Sequence, residues 1–288
     1  MSTEAREMAY RRYSVPVTDL IQRRKSIRTY VRRLLPAETA AQIAGYLAGA
    51  TAPSAGAVRM LLLERSAEKG AIRLGAYGTI AGARSFICVV SDSKASSLLW
   101  VGSMMEDVVL FLTSLGLGTC WMAGTFSQNR FRAAAKVGPG EILPIVTAVG
   151  YPSAIRNPVD LLIKPKEGFR RYPWGRLFFA EDLQHPLSGD TAEVYSMPLE
   201  MLRLSPSAAN KQPWRVIRQG TTYQFYLAHH PSYARRHAYD VQMVDMGIAM
   251  FHFEATALET GLKGTWVRQD PGIERLPSTW EYVVSWSG

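Results

Sequence analysis

The sequence predicts an α+β protein made of two tandem related halves. Three observations carry that expectation: a pair of similar helical segments, a matching Pro-Ser turn ahead of each, and an apolar, β-prone stretch that closes each half.

Residues 102–121 read GSMMEDVVLFLTSLGLGTCW and residues 247–266 read GIAMFHFEATALETGLKGTW. Gly102 aligns with Gly247, Gly116 with Gly261 and Trp121 with Trp266 at one constant offset, without a gap. Self-similarity of this kind is the signature of duplication. In both segments apolar residues recur at helical spacing, and each run ends at a glycine able to take the left-handed conformation that closes a helix. Each is expected to be a long, largely buried helix.

Upstream, Ala52-Pro53-Ser54-Ala55 matches Ser205-Pro206-Ser207-Ala208, each between a helix-like and a strand-like run. The strands are expected at Val58 to Glu64 and Trp214 to Arg218. The closing stretches, Ile142 to Val149 and Tyr282 to Trp286, read as buried strands. The halves are placed at residues 1–150 and 191–288, as one intertwined globular unit. Between them, residues 151–190 hold five prolines, many charges and an apolar patch at Leu177 to Phe179. This is expected to be a crossing segment packed on the surface.

Composition allows a large core, with 47% hydrophobic and 10% aromatic residues in 288. Lys and Arg outnumber Asp and Glu by 33 to 24, and residues 1–36 alone hold nine basic and three acidic residues. A clustered positive field attracts nucleic acid, an anionic membrane or a phosphorylated small molecule. No interleaved aromatic platform or recognition motif accompanies the charge, which argues against nucleic acid. No uninterrupted apolar run is long enough to span a membrane, and Met1 to Arg12 carries charges where a signal peptide would be apolar. Cys88 and Cys120 form neither a disulfide framework nor a zinc-ligand pattern. The expectation is a soluble, cytoplasmic protein without nucleic-acid or membrane partners. His229-His230 reads as a turn feature, and the Met-rich runs at 197–201 and 243–250 as core packing.

Three segments carry chemistry. Arg23-Arg24-Lys25-Ser26-Ile27-Arg28-Thr29-Tyr30 follows a short helix-like run, which would gather several cations and a hydroxyl within about one helical turn. A phosphate dianion is well met by planar Arg forks and an O–H donor. Ser205-Pro206-Ser207-Ala208-Ala209-Asn210-Lys211-Gln212-Pro213-Trp214 crowds amides and hydroxyls between a helix and a strand. It reads either as a helix stop and turn, or as a binding loop whose Asn-x-Gln amides find partners on a polyol or heterocycle edge. Gly116-Leu117-Gly118-Thr119-Cys120-Trp121-Met122-Ala123-Gly124 is rich in small residues, so a flat ring could approach its backbone; a helix cap followed by a loop is the plainer reading. Cys120 is read as a small core residue.

Together these three segments resemble the nitroreductase-like flavoproteins. Members show an Arg-x-Ser-x-Arg motif, a Pro-Ser-x-x-Asn-x-Gln-Pro-Trp motif and a Gly-Leu-Gly-Thr-Cys-Trp stretch. The resemblance spans most of the chain, and the duplication is similar to the subgroup that fuses two such units into a built-in dimer. It implies an intrachain pseudo-dimer with central, mainly antiparallel sheets flanked by helices, holding FMN. By that resemblance Arg24, Lys25, Ser26 and Arg28 would hold the phosphate and ribityl end. Pro206, Ser207, Ala208, Asn210 and Gln212 would come across from the second half, and Met122, Ala123 and Gly124 would line the ring. Arg171, in Arg170-Arg171-Tyr172-Pro173-Trp174, matches the context of a further phosphate contact.

The chain departs from the family pattern in complementary ways. The first half has Pro53-Ser54-Ala55-Gly56-Ala57 without Asn-x-Gln-Pro-Trp, and the second half lacks Arg-x-Ser-x-Arg. Lys263 replaces the glycine equivalent to Gly118, and the lysine that members often carry ahead of the first central strand is absent around Tyr77 to Ala83. One full set of motifs implies one FMN per chain, and a fused dimer implies a monomer.

The activity so implied is hydride transfer from NADH or NADPH through FMN to a small-molecule electron acceptor, such as a nitroaromatic or quinone, in a ping-pong cycle. The cofactor carries that chemistry, so no protein nucleophile, general base or metal is called for. No GxGxxG motif is present, which fits transient use of the nicotinamide. The alternative, from another class, is an FMN-binding or flavin-sensing module with little or no turnover.

Overall fold

Pro16 leads into a short run in which Val17, Leu20 and Ile21 are buried, forming helix α1 (Val17–Arg23). Its first turn leaves backbone N–H groups that the helix cannot satisfy. The Glu259 carboxylate accepts from the N–H groups of Val17 and Thr18 and from the Thr18 hydroxyl. A carboxylate at a helix N-terminus also complements the helix dipole. Helix α1 is thereby tied to Glu259. A computed structural model describes residues 13–64, 80–155, 170–231 and 239–288. It divides into two compact units, Arg23–Phe169 and Met1–Gln22 with Arg170–Gly288. The start of the basic N-terminal stretch, residues 77–79 of Tyr77 to Ala83 and residues 156–169 of the expected crossing segment lie outside the described residues.

In the unit Arg23–Phe169, α2 (Ala37–Thr51) precedes strand β1 (Val58–Glu64), then β2 (Ser85–Ser91), α3 (Ala95–Ser114), β3 (Gly118–Met122), α4 (Gln128–Ala134) and β4 (Ile142–Gly150). The sheet runs β1-β2-β4-β3, antiparallel throughout. Its centre is β2, SFICVVS, buried along its whole length. Helix α3 buries Leu98, Val101, Met105, Val108 and Leu112 at intervals of three and four, the spacing that lines one face of a helix. By length and composition α3 could cross a membrane, but 67% of its most apolar window is buried inside the fold.

The second unit contains α5 (Trp174–Leu177), β5 (Phe178–Ala180), α6 (Ser196–Arg203), β6 (Trp214–Gln219), β7 (Thr222–Ala228), α7 (Val241–Glu259), β8 (Thr265–Val267) and β9 (Trp280–Ser287). Its sheet runs β5-β6-β7-β9-β8. The part β6-β7-β9-β8 repeats the order and antiparallel pairing of β1-β2-β4-β3. Its core is aromatic: Phe225, Phe253, Trp266 and Trp286 meet edge to face, with Phe225 and Trp286 each 5.0 Å from the Trp266 ring.

The two long helices close in the same way. Leu117 N donates to Leu112 O and Gly116 N to Thr113 O, while Leu262 N donates to Ala257 O and Gly261 N to Leu258 O. Both glycines have positive φ, +71° and +79°, the left-handed end that their sequence positions predict. Each helix starts before the aligned segment, at Ala95 and Val241, because the similarity covers only its buried C-terminal part.

Two expectations are corrected. The Leu177 to Phe179 patch is buried rather than packed on the surface, since Phe178–Ala180 pairs in parallel with β6 and extends that sheet. The Gly-rich stretch after Gly116 becomes strand β3 from Gly118 onward, because its residues pair with β4 across five positions.

Arg59 on β1 clamps the turn between α4 and β4. Its guanidinium bonds Glu141 in bidentate fashion, at 3.2 and 2.8 Å, and donates to Ala135 O and Lys136 O, both at 2.9 Å. The Arg59 bonds, followed by the Gly138 N–H, hold the Glu141 carboxyl at about 2. A depressed carboxyl stabilises the fold above its unfolded value, and that contribution is lost as pH falls from about 4.3 towards 2. Glu141→Gln is therefore expected to flatten the pH dependence of thermal unfolding in that window and leave it unchanged above pH 6. Equal acid sensitivity of variant and parent would contradict the clamp.

Candidate functional site

The cationic segment is extended, not helical. Ile27 N donates to Thr119 O at 2.8 Å, Ala81 N to Arg28 O at 2.8 Å, Tyr30 N to Ala81 O at 2.9 Å, and Ser153 N to Thr29 O at 3.0 Å. Ser26 bridges Thr119 in parallel. The gathering of cations within one helical turn is thus corrected: backbone pairing with β3 and with residue 81 outcompetes continuation of α1. Two glycines permit it. A Cβ on Gly118 would lie 2.8 Å from the Ile27 side chain, and one on Gly82 would lie 2.0 Å from Tyr30 O.

The four predicted phosphate residues are not equivalent. Lys25 is exposed, Ser26 and Arg28 are half-buried. The Arg24 side chain is 8% exposed, and its Nε lies 3.7 Å from the fully buried Glu106 of α3. The other Glu106 oxygen accepts from Trp121 Nε1 at 3.1 Å. Burying one of these charges alone would cost several kcal/mol, roughly, so Arg24 and Glu106 need one another. Arg24 therefore anchors the segment onto α3. On β3, Met122 belongs to the core with Cys88, Phe126 and Val146, while Ala123 is half-buried and Gly124 exposed. Cys120 is buried, as expected of a core residue.

In the second unit the Ser205–Trp214 loop is wound around a left-handed backbone. Ala209, Asn210 and Gln212 have φ of 45°, 54° and 49°. For residues other than glycine each costs on the order of 1 kcal/mol, which surrounding bonds must offset. Ala208 N donates to both oxygens of Asp245 at 3.0 and 3.2 Å, and Gln212 N donates to Ser207 Oγ at 2.9 Å. Asp245 lies inside α7, and burial pushes its carboxyl well above the usual range, opposed by the Ala208 N–H. The first half closes its shorter loop by the same device, Val58 N donating to Ser54 Oγ at 3.2 Å beside Ala55 at φ 50°.

The Asn-x-Gln amides find their partners within this unit. Gln212, 1% exposed, accepts from Tyr172 N at 2.8 Å and donates through Nε2 to Arg170 O and Asn210 O, both at 3.2 Å. Asn210 donates to Arg170 O at 3.1 Å and accepts from Arg171 Nη1 at 2.7 Å. Arg171 Nη2 also donates to Leu204 O at 2.6 Å. The structure thus brings Arg171, Asn210, Gln212 and the Pro206–Ala208 turn together. It gathers Arg24, Lys25, Ser26 and Arg28 at the edge of the other sheet, beside strand β3, which ends at Met122 and is followed by Ala123 and Gly124. Sequence reasoning missed Glu106 and Asp245. The available signal was an acid inside an otherwise apolar helical stretch, which is rarely buried without a partner.

Fold and loops define an α+β protein with a duplicated helix and antiparallel-sheet unit, carrying one cationic motif and one amide-rich loop. A family model described as "Putative TM nitroreductase" matches residues 16–257, and the chain belongs to that family. A crystal structure from Thermotoga maritima, described as a "putative nitroreductase", is 24% identical, covers 94% of this chain and 93% of its own, and superposes with a TM-score of 0.54, which shows the same fold. A Bacteroides thetaiotaomicron protein described as "Putative NADH dehydrogenase/NAD(P)H nitroreductase" is 22% identical over 49% of this chain and 89% of its own, with a TM-score of 0.40. A Desulfitobacterium hafniense nitroreductase with bound FMN is 16% identical over 50% and 93%, with a TM-score of 0.39. No curated protein matches the chain.

Gln212→Ala would remove the partner of the Tyr172 N–H and leave Arg170 O with Asn210 alone. The expected loss is about 1–3 kcal/mol of stability, read by denaturant unfolding. A loss below about 0.5 kcal/mol would mean that the amide clamp contributes nothing.

Proposed function

We propose that the chain is an FMN-dependent oxidoreductase that takes hydride from NADH or NADPH and delivers it to a small-molecule acceptor, such as a nitroaromatic or quinone, by a ping-pong mechanism. The observation that carries this reading is the locked Arg171 guanidinium, set against the Asn210–Gln212 loop in a chain of the nitroreductase family. The donor set fits a flavin phosphate: guanidinium, ammonium and hydroxyl groups on a backbone fixed before any ligand arrives.

Bound FMN would supply the hydride chemistry, with the protein providing position and electrostatics. Lys25, Ser26 and Arg28 would hold the phosphate end, and Arg24, paired with Glu106, would fix their strand. Arg171 would add a further cation. Pro206, Ser207 and Ala208 would present backbone and hydroxyl, while Asn210 and Gln212 would act chiefly by holding Arg171 and Tyr172. Main chain at Met122, Ala123 and Gly124 would lie along the ring. In this reading residues 1–150 and 191–288, joined by 151–190, act as one intertwined pseudo-dimer, a cytoplasmic monomer with one FMN.

Flavin content per chain, measured together with solution mass, tests the reading; one FMN on a monomer is expected. A chain that purifies colourless and gains no flavin on addition of FMN would refute it. Bleaching of the bound flavin by NADH or NADPH under anaerobic stopped flow separates turnover from a binding or sensing module. Arg28→Ala and Asn210→Ala are expected to raise the FMN dissociation constant by about tenfold each, since each loses a charge-assisted bond or its support.

A further inference from the structure

The cationic segment continues past Arg28 into an exposed run, Val31-Arg32-Arg33-Leu34. Residues 29–31 lie between two neighbours of the same unit. Tyr30 N donates to Ala81 O on one side; on the other, Val31 N donates to Tyr151 O at 2.9 Å and Ser153 N to Thr29 O at 3.0 Å. Side chains alternate along such a stretch. Tyr30 points into the core, 3% exposed with its hydroxyl on Ala148 O, so Val31 is turned to solvent. Arg33 N closes a three-residue turn on Val31 O at 2.8 Å, which leaves Arg32 at its tip. The Arg33 guanidinium lies 3.6 Å over the Tyr151 ring. Just beyond Ser153, Ile155 N donates to Ser153 Oγ at 3.2 Å, and the Ile155 side chain is 82% exposed.

Single exposed aliphatic side chains are ordinary, but here they gather. Val31, Leu34 and Ile155 are three of the seven exposed large apolar residues among those described, on two segments that hydrogen bond to one another. Residues 23–35 and 149–155 contain no acid, and among the described residues neither Arg32 nor Arg33 has a carboxylate partner. This mixture discriminates among anions. A protein interface concentrates apolar groups at its centre and keeps charge at its rim, whereas Arg32 and Arg33 stand between Val31 and Leu34. Nucleic acid stacks its bases on aromatic faces, and the ring beside this patch, Tyr151, already carries Arg33. A free phosphate gains nothing from aliphatic groups. A bilayer containing anionic lipid offers both partners, phosphates at its surface and hydrocarbon just below, and an arginine stem can lie along the apolar layer with its head among the phosphates.

We infer that this patch docks the protein on an anionic bilayer surface, with Arg32 and Arg33 at the headgroup phosphates and Val31, Leu34 and Ile155 entering the acyl boundary. The expectation of no membrane partner concerned spanning and export, and surface attachment requires neither. None of these five residues has a part in the flavin reading, so the two stand or fall separately.

The full chain is mixed with vesicles of phosphatidylcholine alone, and of phosphatidylcholine with an equal part of phosphatidylglycerol, and the bound fraction is read by sedimentation at low and high salt. Partition onto the anionic vesicles is expected to exceed that onto the neutral ones by about tenfold or more, and to fall as salt rises. Arg32→Gln with Arg33→Gln should remove most of that excess, and Arg32→Lys with Arg33→Lys should keep it. Val31→Ser with Ile155→Ser is expected to weaken binding to the anionic vesicles by about tenfold while the salt dependence stays. All the exchanged side chains are exposed, so each variant is expected to unfold at the parent's temperature. Equal partition onto both vesicles, or an excess that survives the loss of both arginines, overturns the proposal. So does an excess untouched by the two serines, since charge alone would then account for it. Tighter binding to a DNA duplex than to the anionic vesicles would assign the patch to nucleic acid and overturn it likewise, as would a dimer in solution that Ile155→Ser dissolves. A colourless chain that binds the anionic vesicles would uphold this surface and refute the flavin reading alone.

Discussion

The buried amide of Gln212 is the interaction on which the amide-rich side of the site depends. It spans the gap between two chain segments 40 residues apart, taking the Tyr172 N–H and giving its own protons to Arg170 O and Asn210 O. A primary amide is suited to this because it offers both an acceptor and two donors in one plane. A carboxylate could not donate to the two carbonyls, and an ammonium could not accept from Tyr172. Once the segments are joined, Arg171 lands on Asn210 and Leu204, and Arg215 caps the Gln212 carbonyl. The left-handed residues of the loop are the local cost of putting that amide where it is, and Asp245 and Ser207 offset it from below.

Duplication explains the frame, and divergence explains the site. Both units keep the same strand order and the same helix closure at Gly116 and Gly261. They differ where side chains are charged. Glu106 aligns with Phe251, so the first unit has a buried acid to receive Arg24 where the second has a buried aromatic. Gly118 must be small because Ile27 packs on it, whereas Lys263, at the matching place, is exposed next to the edge strand β8. Each unit has specialised the edge of its sheet, one for a cationic segment and the other for none.

Much of the frame was legible in the sequence because duplication supplied two readings of the long helix, the Pro-Ser turn and the closing strand. The strand at Val58–Glu64 falls where the pattern put it, and the helix-closing glycines have the positive φ that their position demanded. What escaped was set by tertiary partners. Strands β2 and β7 have no motif to announce them, yet they are central because their neighbours pair on both sides. The cationic segment looked like a continuation of a helix, but its backbone donors find β3 and residue 81 closer than the next helical turn. The Asn-x-Gln pair was read as finding its partners on a polyol or heterocycle edge, whereas residues 170–172 supply them, which no pattern in one dimension could reveal.

Charge compensation separates the cations of this protein into two kinds. Arg24, Arg59 and Arg203 each face a carboxylate, and in all three cases the pair ties one structural segment to another or braces a helix face. Such pairs contribute to shape, and an arriving anion would have to compete with a covalently tethered acid already at close range. Among the described residues Arg176 and Arg215 have no such competitor, nor have Arg32 and Arg33. A cation with no acid at close range gains more from an external anion than a group already neutralised, because no tethered partner has to give way. Net positive charge across the whole chain steers anions towards the protein, but it is the local failure of compensation that decides where one would stay.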